Sequence, residues 1–208
     1  AAVTAALWAR IPMLHLHGGE LTEGALDDSM RHAITKMAHV HCVATDEYKR
    51  RVIQLGEQPD RVHCVGGLGV DAIKRTKLLG RAELEASIDF KFKSKNLLIT
   101  FHPATLEGVS AGNQMKELLA ALQGRQDTGL IFTHPNADTG GRELITMLDA
   151  FVARHPNARA YASLGQLRYL SCMAQCDAVV GNSSSGLLEA PTLKKATINI
   201  GDRQRGRL

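Results

Sequence analysis

The chain has 208 residues, of which 44% are hydrophobic and 22% charged, a composition ordinary for a globular protein of one large domain or two small ones. An aromatic share of 4% is too small for a base-stacking nucleic-acid platform, and a net charge of +4 (pI near 9.0) is spread thinly enough to suit a small anionic substrate. No apolar run approaches the roughly 20 residues of a membrane span and no signal peptide is visible, so neither a nucleic-acid nor a membrane partner is expected; cysteines read as free thiols point to a reduced, cytoplasmic setting.

In chain order, residues 1–9 form an alanine-rich, helix-favouring stretch without an initiator methionine. The chain stops just after a dense motif, so an internal fragment of a longer protein is expected. Residues 11–16 read as a strand that feeds the loop His17-Gly18-Gly19-Glu20. Asp27 or Asp28 is placed to cap a helix running to about residue 38. A short strand at 41–44, a helix at 46–56 with a glycine stop, and a strand at 62–65 follow. Residues 72–95 are charged and lack strand pattern, which suggests a helix plus linker.

A second alternating series begins at residue 96: strands at 96–101, 129–133, 158–161, 178–180 and 196–200, with helices at 114–122, 141–155, 166–175 and from 187 onward. Strands alternating with helices of this length imply right-handed crossovers and parallel sheets. The expected fold is therefore α/β, with two Rossmann-like lobes across a cleft: 1–71 as part of a first lobe, 72–95 as the connection, 96–208 as the second.

Three clusters carry candidate chemistry. The first is His15-Leu16-His17-Gly18-Gly19-Glu20 with Asp27-Asp28 and Arg31-His32. It leaves a strand end, where parallel sheets bind ligands, and its carboxylates and histidines could supply an acid and a base. Equally, Asp27 or Asp28 could serve only as a helix cap. The second cluster repeats one arrangement at two strand ends, Thr100-Phe101-His102-Pro103 and Thr133-His134-Pro135-Asn136-Ala137-Asp138. The third is the small-residue loop Gly181-Asn182-Ser183-Ser184-Ser185-Gly186-Leu187-Leu188-Glu189-Ala190-Pro191, bracketed by strand and helix. There the backbone can approach an anion, Ser183 and Ser184 can bond a diphosphate, and Glu189 can accept from ribose hydroxyls. It is neither a Walker loop nor a GxGxxG motif. Arg203, in the closing Asp202-Arg203-Gln204-Arg205-Gly206-Arg207, could neutralise phosphate. Of the four cysteines, Cys172 and Cys176 would share a helix face, but no zinc or redox spacing is present and free core thiols are expected.

Taken together these strings resemble the hydrolysing UDP-N-acetylglucosamine 2-epimerases of sialic-acid biosynthesis. The most specific parts are His15 to Glu20, the run Asp27-Asp28-Ser29-Met30-Arg31-His32-Ala33-Ile34-Thr35-Lys36, the Gly181 to Pro191 loop and residues 198–207. The resemblance implies two lobes of the glycosyltransferase-B type, with UDP on the second and the sugar in the cleft. It implies C2 proton abstraction with loss of UDP, then hydration of the glucal to N-acetylmannosamine, with no cofactor and no metal.

Carried over by position, Glu20, Asp27, Asp28 and His102 are the expected catalytic residues. His15, His17, Pro135, Asn136, Ser183, Ser184, Gly186, Glu189 and Arg203 are the expected substrate-binding ones. Family members carry an Asp-Arg pair upstream of the region matched here, and some have glutamate where His17 stands. A UDP-sugar substrate and, in the parent, a homo-oligomer are expected. An epimerase acting on UDP-diacetylbacillosamine, a glycosyltransferase of the same fold and a non-catalytic UDP-binding module are the other readings.

Overall fold

Short apolar runs separated by amphipathic helices pair in parallel, because each helix returns the chain to the same edge of the sheet. The computed structural model of the chain describes residues 1–22, 27–103, 110–136 and 140–207 and contains two such sheets. In the first, β1 (Leu14–Leu16), β2 (Val40–Val43) and β3 (Val62–Cys64) lie in that order, all parallel, with His15 opposite His41. In the second, β4 (Lys95–Thr100), β5 (Thr128–Thr133), β6 (Ala158–Tyr161), β7 (Ala178–Gly181) and β8 (Ala196–Asn199) take the order β6-β5-β4-β7-β8, again parallel. The order reverses between β4 and β7, and in such sheets the crevice beyond the carboxyl ends of the reversing strands receives ligands.

Helix α1 (Ala2–Trp8) buries no side chain and leaves Trp8 exposed. Helix α2 (Asp27–Met37) follows β1, with Asp27 and Asp28 in its first turn rather than ahead of it. In α3 (Asp46–Gln54) the Thr45 hydroxyl caps the helix by accepting from the Tyr48 amide at 3.2 Å. Tyr48 and Val52 then close a small core with Val43 and Val62.

The stretch read from sequence as helix and linker holds the second half of α4 (Leu68–Arg75) and all of α5 (Arg81–Ile88). Leu84, Ile88, Phe90 and Phe92 are buried with Leu98, Ile131, Met173 and Val179, so the segment covers one face of the second sheet. Its charges point outward, where Glu85 meets Arg81 and Lys91. The other face is covered by α6 (Ala111–Gln123) and α7 (Gly141–Val152), which press Leu119, Leu122, Leu144 and Leu148 onto Ile99, Leu130 and Phe132.

Helix α8 (Gly165–Gln175) carries Cys172, buried beside Cys176 just past its end; burial pushes the Cys172 thiol up to about 12 and Cys176 upward too. The helix expected from residue 187 is only the single turn α9 (Ser185–Leu188), since Pro191 follows at once. Among the described residues no helix is long and apolar enough to cross a membrane.

Candidate functional site

The two reversing strands meet closely at their ends. Gly181 has φ of 134°, and a Cβ there would run into the Thr100 carbonyl, so only glycine lets β7 lie this near β4. The next residue, Asn182, is 1% exposed and holds the chain across the gap. Its Oδ1 accepts from the His102 amide at 2.7 Å and its Nδ2 donates to the His102 carbonyl at 2.8 Å. The Asn136 amide donates to His102 Nδ1 at 3.1 Å, which leaves the proton of the neutral ring on Nε2.

A cavity of about 500 Å³ opens at this edge, lined by His102, Ser183, Ser184 and Glu189. Its floor is a row of hydroxyls. Thr100 and Thr133 share a hydrogen bond at 2.6 Å, and Tyr169 reaches Ser185 at 2.6 Å, which in turn donates to Ser183 at 3.1 Å. Burial raises the Glu189 carboxyl above its ordinary value. The wall is thus rich in donors for a diphosphate and holds one carboxylate for vicinal hydroxyls.

The first cluster lies at the carboxyl end of β1. Glu20 is 4% exposed and both its oxygens are engaged: Oε1 by His17 Nδ1 at 2.9 Å and Oε2 by Arg207 Nη1 at 3.1 Å. Burial works against the charge, but the His17 hydrogen bond and the Arg207 and Arg31 guanidiniums outweigh it and hold the Glu20 carboxyl below its ordinary value. Asp28 Oδ1 accepts from the Thr22 amide at 2.8 Å, and Arg31 stands 3.5 Å from the same oxygen. The Asp27 side chain, 63% exposed, meets only Arg31, at 3.7 Å, among the described residues.

Several expected binding residues sit elsewhere. His15 is buried behind Gly18, bonded to Thr35 at 3.2 Å, and burial with the neighbouring His41 and Arg31 charges lowers it to about 4. It is a neutral packing residue of β1. Pro135 is buried and Asn136 presents its backbone to His102, so neither is part of the described cavity wall; Ala137 and Asp138 of that motif lie outside the described residues. Gly186 is tightly packed, since a Cβ would come within 2.8 Å of the Thr197 methyl. Arg203 Nη1 donates to the Asn182 carbonyl at 3.2 Å, supporting the loop from behind.

Sequence reasoning missed Tyr169 on the cavity wall, named Thr100 and Thr133 only as part of the second cluster without a role, and gave none to Gln204, which is buried and donates to the same Asn182 carbonyl at 2.9 Å. Tyr169 lies inside a helix and carries no motif of its own. A glutamine inside a run of charged residues was the one available signal.

A model of the UDP-N-acetylglucosamine 2-epimerase family matches residues 1–208. A GDP/UDP-N,N'-diacetylbacillosamine 2-epimerase (hydrolysing) from Campylobacter jejuni is 43% identical over 97% of this chain and 53% of its own length. The polysialic acid biosynthesis protein P7 of Escherichia coli is 42% identical over 98% of this chain and 52% of its own. The chain therefore spans about half the length of the curated relatives it matches. The Neisseria meningitidis UDP-GlcNAc 2-epimerase solved with UDP-GlcNAc superposes with a TM-score of 0.79 at 20% identity, covering 97% of this chain and 56% of that one. At that identity the likeness is one of fold, the two-lobed glycosyltransferase-B type.

Proposed function

The chain belongs to the UDP-N-acetylglucosamine 2-epimerase family, and on that premise we propose that it forms part of a hydrolysing epimerase that cleaves a UDP-linked N-acetylated hexosamine to UDP and the C2-inverted free sugar. One observation carries the reading: segment 203–207 grips the nucleotide-side loop through Asn182 and the first-lobe carboxylate Glu20 through Arg207. Donors suited to a diphosphate and a titratable cluster are thereby tied to one another.

The hydroxyls of Ser183 and Ser184 bind the diphosphate, and Glu189 accepts from the ribose. His102, with its ring proton on Nε2, donates to the departing diphosphate oxygen. Proton transfer at C2 falls to the cluster of His17, Glu20, Asp27 and Asp28. UDP leaves with the C1–O bonding pair, a C1=C2 double bond forms, and addition of water gives the mannosamine-type product. No step calls on a cofactor or metal.

The test is product analysis by nuclear magnetic resonance in deuterated water, using the full-length protein with UDP-N-acetylglucosamine. Free N-acetylmannosamine with deuterium at C2 is the expected result, and intact UDP-N-acetylmannosamine would refute the hydrolysing route. A second reading, UDP-N,N'-diacetylbacillosamine as substrate, is favoured by the 43% identical Campylobacter relative. Comparing kcat/KM for the two nucleotides separates them.

A further inference from the structure

His17 stands in a conformation that a non-glycine residue seldom adopts, with φ of 61°. Left-handed backbone of this kind persists where neighbouring contacts hold it, and it gathers at functional positions. Two contacts hold it here: the His17 amide donates to the Cys42 carbonyl at 2.9 Å, and ring Nδ1 meets Glu20 Oε1 at 2.9 Å.

The burial runs as a gradient. The Glu20 and Arg207 side chains are 5% and 10% exposed, whereas that of His17 is 35% exposed. A charged carboxylate is thus fixed at the back, and an imidazole stands in front of it with one face toward solvent. Among the described residues nothing bonds His17 Nε2.

We propose that His17 is the proton-carrying group of the first-lobe cluster and that Glu20, fixed across the lobe boundary by Arg207, is its positioning residue. This rests on the epimerase reading and assigns the base within it. An anchored carboxylate acceptor pins the neutral ring as the Nδ1–H tautomer, which leaves the Nε2 lone pair as the base. Nε2 takes the proton from C2 of the UDP-linked sugar, and the C–H pair becomes the C1=C2 bond as the C1–O pair leaves with UDP. The imidazolium so formed faces the Glu20 carboxylate, which stabilises it without taking the proton.

The other charged groups around the pair are already engaged. Arg31, from α2, donates to the Glu20 carbonyl at 3.1 Å and the Thr22 hydroxyl at 3.2 Å. Arg51, from α3, donates to the Gly19 carbonyl at 2.5 Å. Asp28 lies with Arg31 and His32, each at 3.5 Å, and His15 is neutral behind Gly18. Arg207 is the one cation among the described residues bound to the Glu20 carboxylate oxygens, and it comes from the segment that also carries Gln204 to the nucleotide-side loop. His17 therefore takes its place relative to that loop through residues of the opposite lobe.

The test has two arms. In the first, nitrogen-15 resonances of labelled His17 are read without substrate, and the neutral ring is expected as the Nδ1–H tautomer, with that population reduced in Glu20→Gln. In the second, deuterium wash-in at C2 of the N-acetylmannosamine released from UDP-N-acetylglucosamine is followed in the full-length protein. His17→Asn, chosen because asparagine tolerates left-handed backbone, should slow it by roughly 100-fold. Arg207→Met should lower kcat about tenfold with KM within about threefold, and Arg207→Lys should recover part of the loss, as expected when a positioning contact rather than substrate binding is removed.

A neutral ring protonated on Nε2 would overturn the proposal, as would wash-in surviving in His17→Asn at a third or more of the unsubstituted rate. Absence of wash-in from the unsubstituted protein would overturn the epimerase reading, and the base role with it. The tautomer arm needs no turnover, so the two failures are told apart.

Discussion

Asn182 holds both backbone groups of His102, accepting from its amide at 2.7 Å and donating to its carbonyl at 2.8 Å, so one buried amide side chain sets where the histidine faces the cavity. The residues lie on the two strand ends that meet at the reversal of the sheet. Asn182→Ala removes both bonds and leaves buried backbone groups unpaired, at a cost of about 1–3 kcal/mol. UDP affinity should fall with stability, because His102 loses its support. Thermal unfolding together with UDP calorimetry checks this, and a variant with native affinity would show that Asn182 does not position the site.

Glu189 and Glu20 should bend the pH–stability profile in opposite directions. The Glu189 carboxyl is raised above 4.5 by burial, so the native state holds its proton where the unfolded chain has lost it. Stability is therefore lost as pH rises from 4.5 through the raised value. Glu20 is held below 4.5, so its contribution is present above 4.5 and is lost as pH falls through its depressed value. Melting curves of Glu189→Gln should lose the decline above 4.5, and those of Glu20→Gln part of the decline on the acid side. An unchanged profile in either variant would exclude that residue as the source.

Two glycines of the same loop should differ in what they tolerate. Gly181→Ala drives a methyl into the Thr100 backbone at a left-handed φ and should cost at least about 3 kcal/mol or prevent folding. Gly186→Ala meets only the Thr197 methyl, at 2.8 Å, which a small side-chain shift relieves, so roughly 1–2 kcal/mol is expected. Denaturant unfolding orders the two, and the reverse order would contradict the strand spacing described here.

The paired aspartates should separate by readout. Asp28 satisfies the Thr22 amide, so Asp28→Ala should cost about 1 kcal/mol and lower Tm by about 2–4 °C. Asp27 is exposed, and Asp27→Asn should leave stability within about 0.5 kcal/mol. If Asp27 serves the chemistry, its loss appears only in kcat of the full-length protein. A large Tm change in Asp27→Asn would give it the structural role instead.

The sequence by itself determined the alternation of strands and helices, the placement of His102 and of the serine loop at strand ends, and the family resemblance. Each depends on patterns a few residues long: period-two apolar runs, glycine stops, small residues between strand and helix. Only the tertiary structure decided which groups meet. His15 and His17 are two residues apart and would share a face if the strand ran on, yet one is buried and neutral behind Gly18 while the other fronts Glu20, because β1 ends at Leu16 and the left-handed backbone of His17 turns its side chain away. Glu20 reads as a free carboxylate in the sequence, but it is held by Arg207 from the far end of the chain. Gly186 reads as an anion-binding glycine, but β8 presses against it. Contacts between residues so distant in sequence are set by how the sheets and segment 203–207 pack, and no local pattern encodes them.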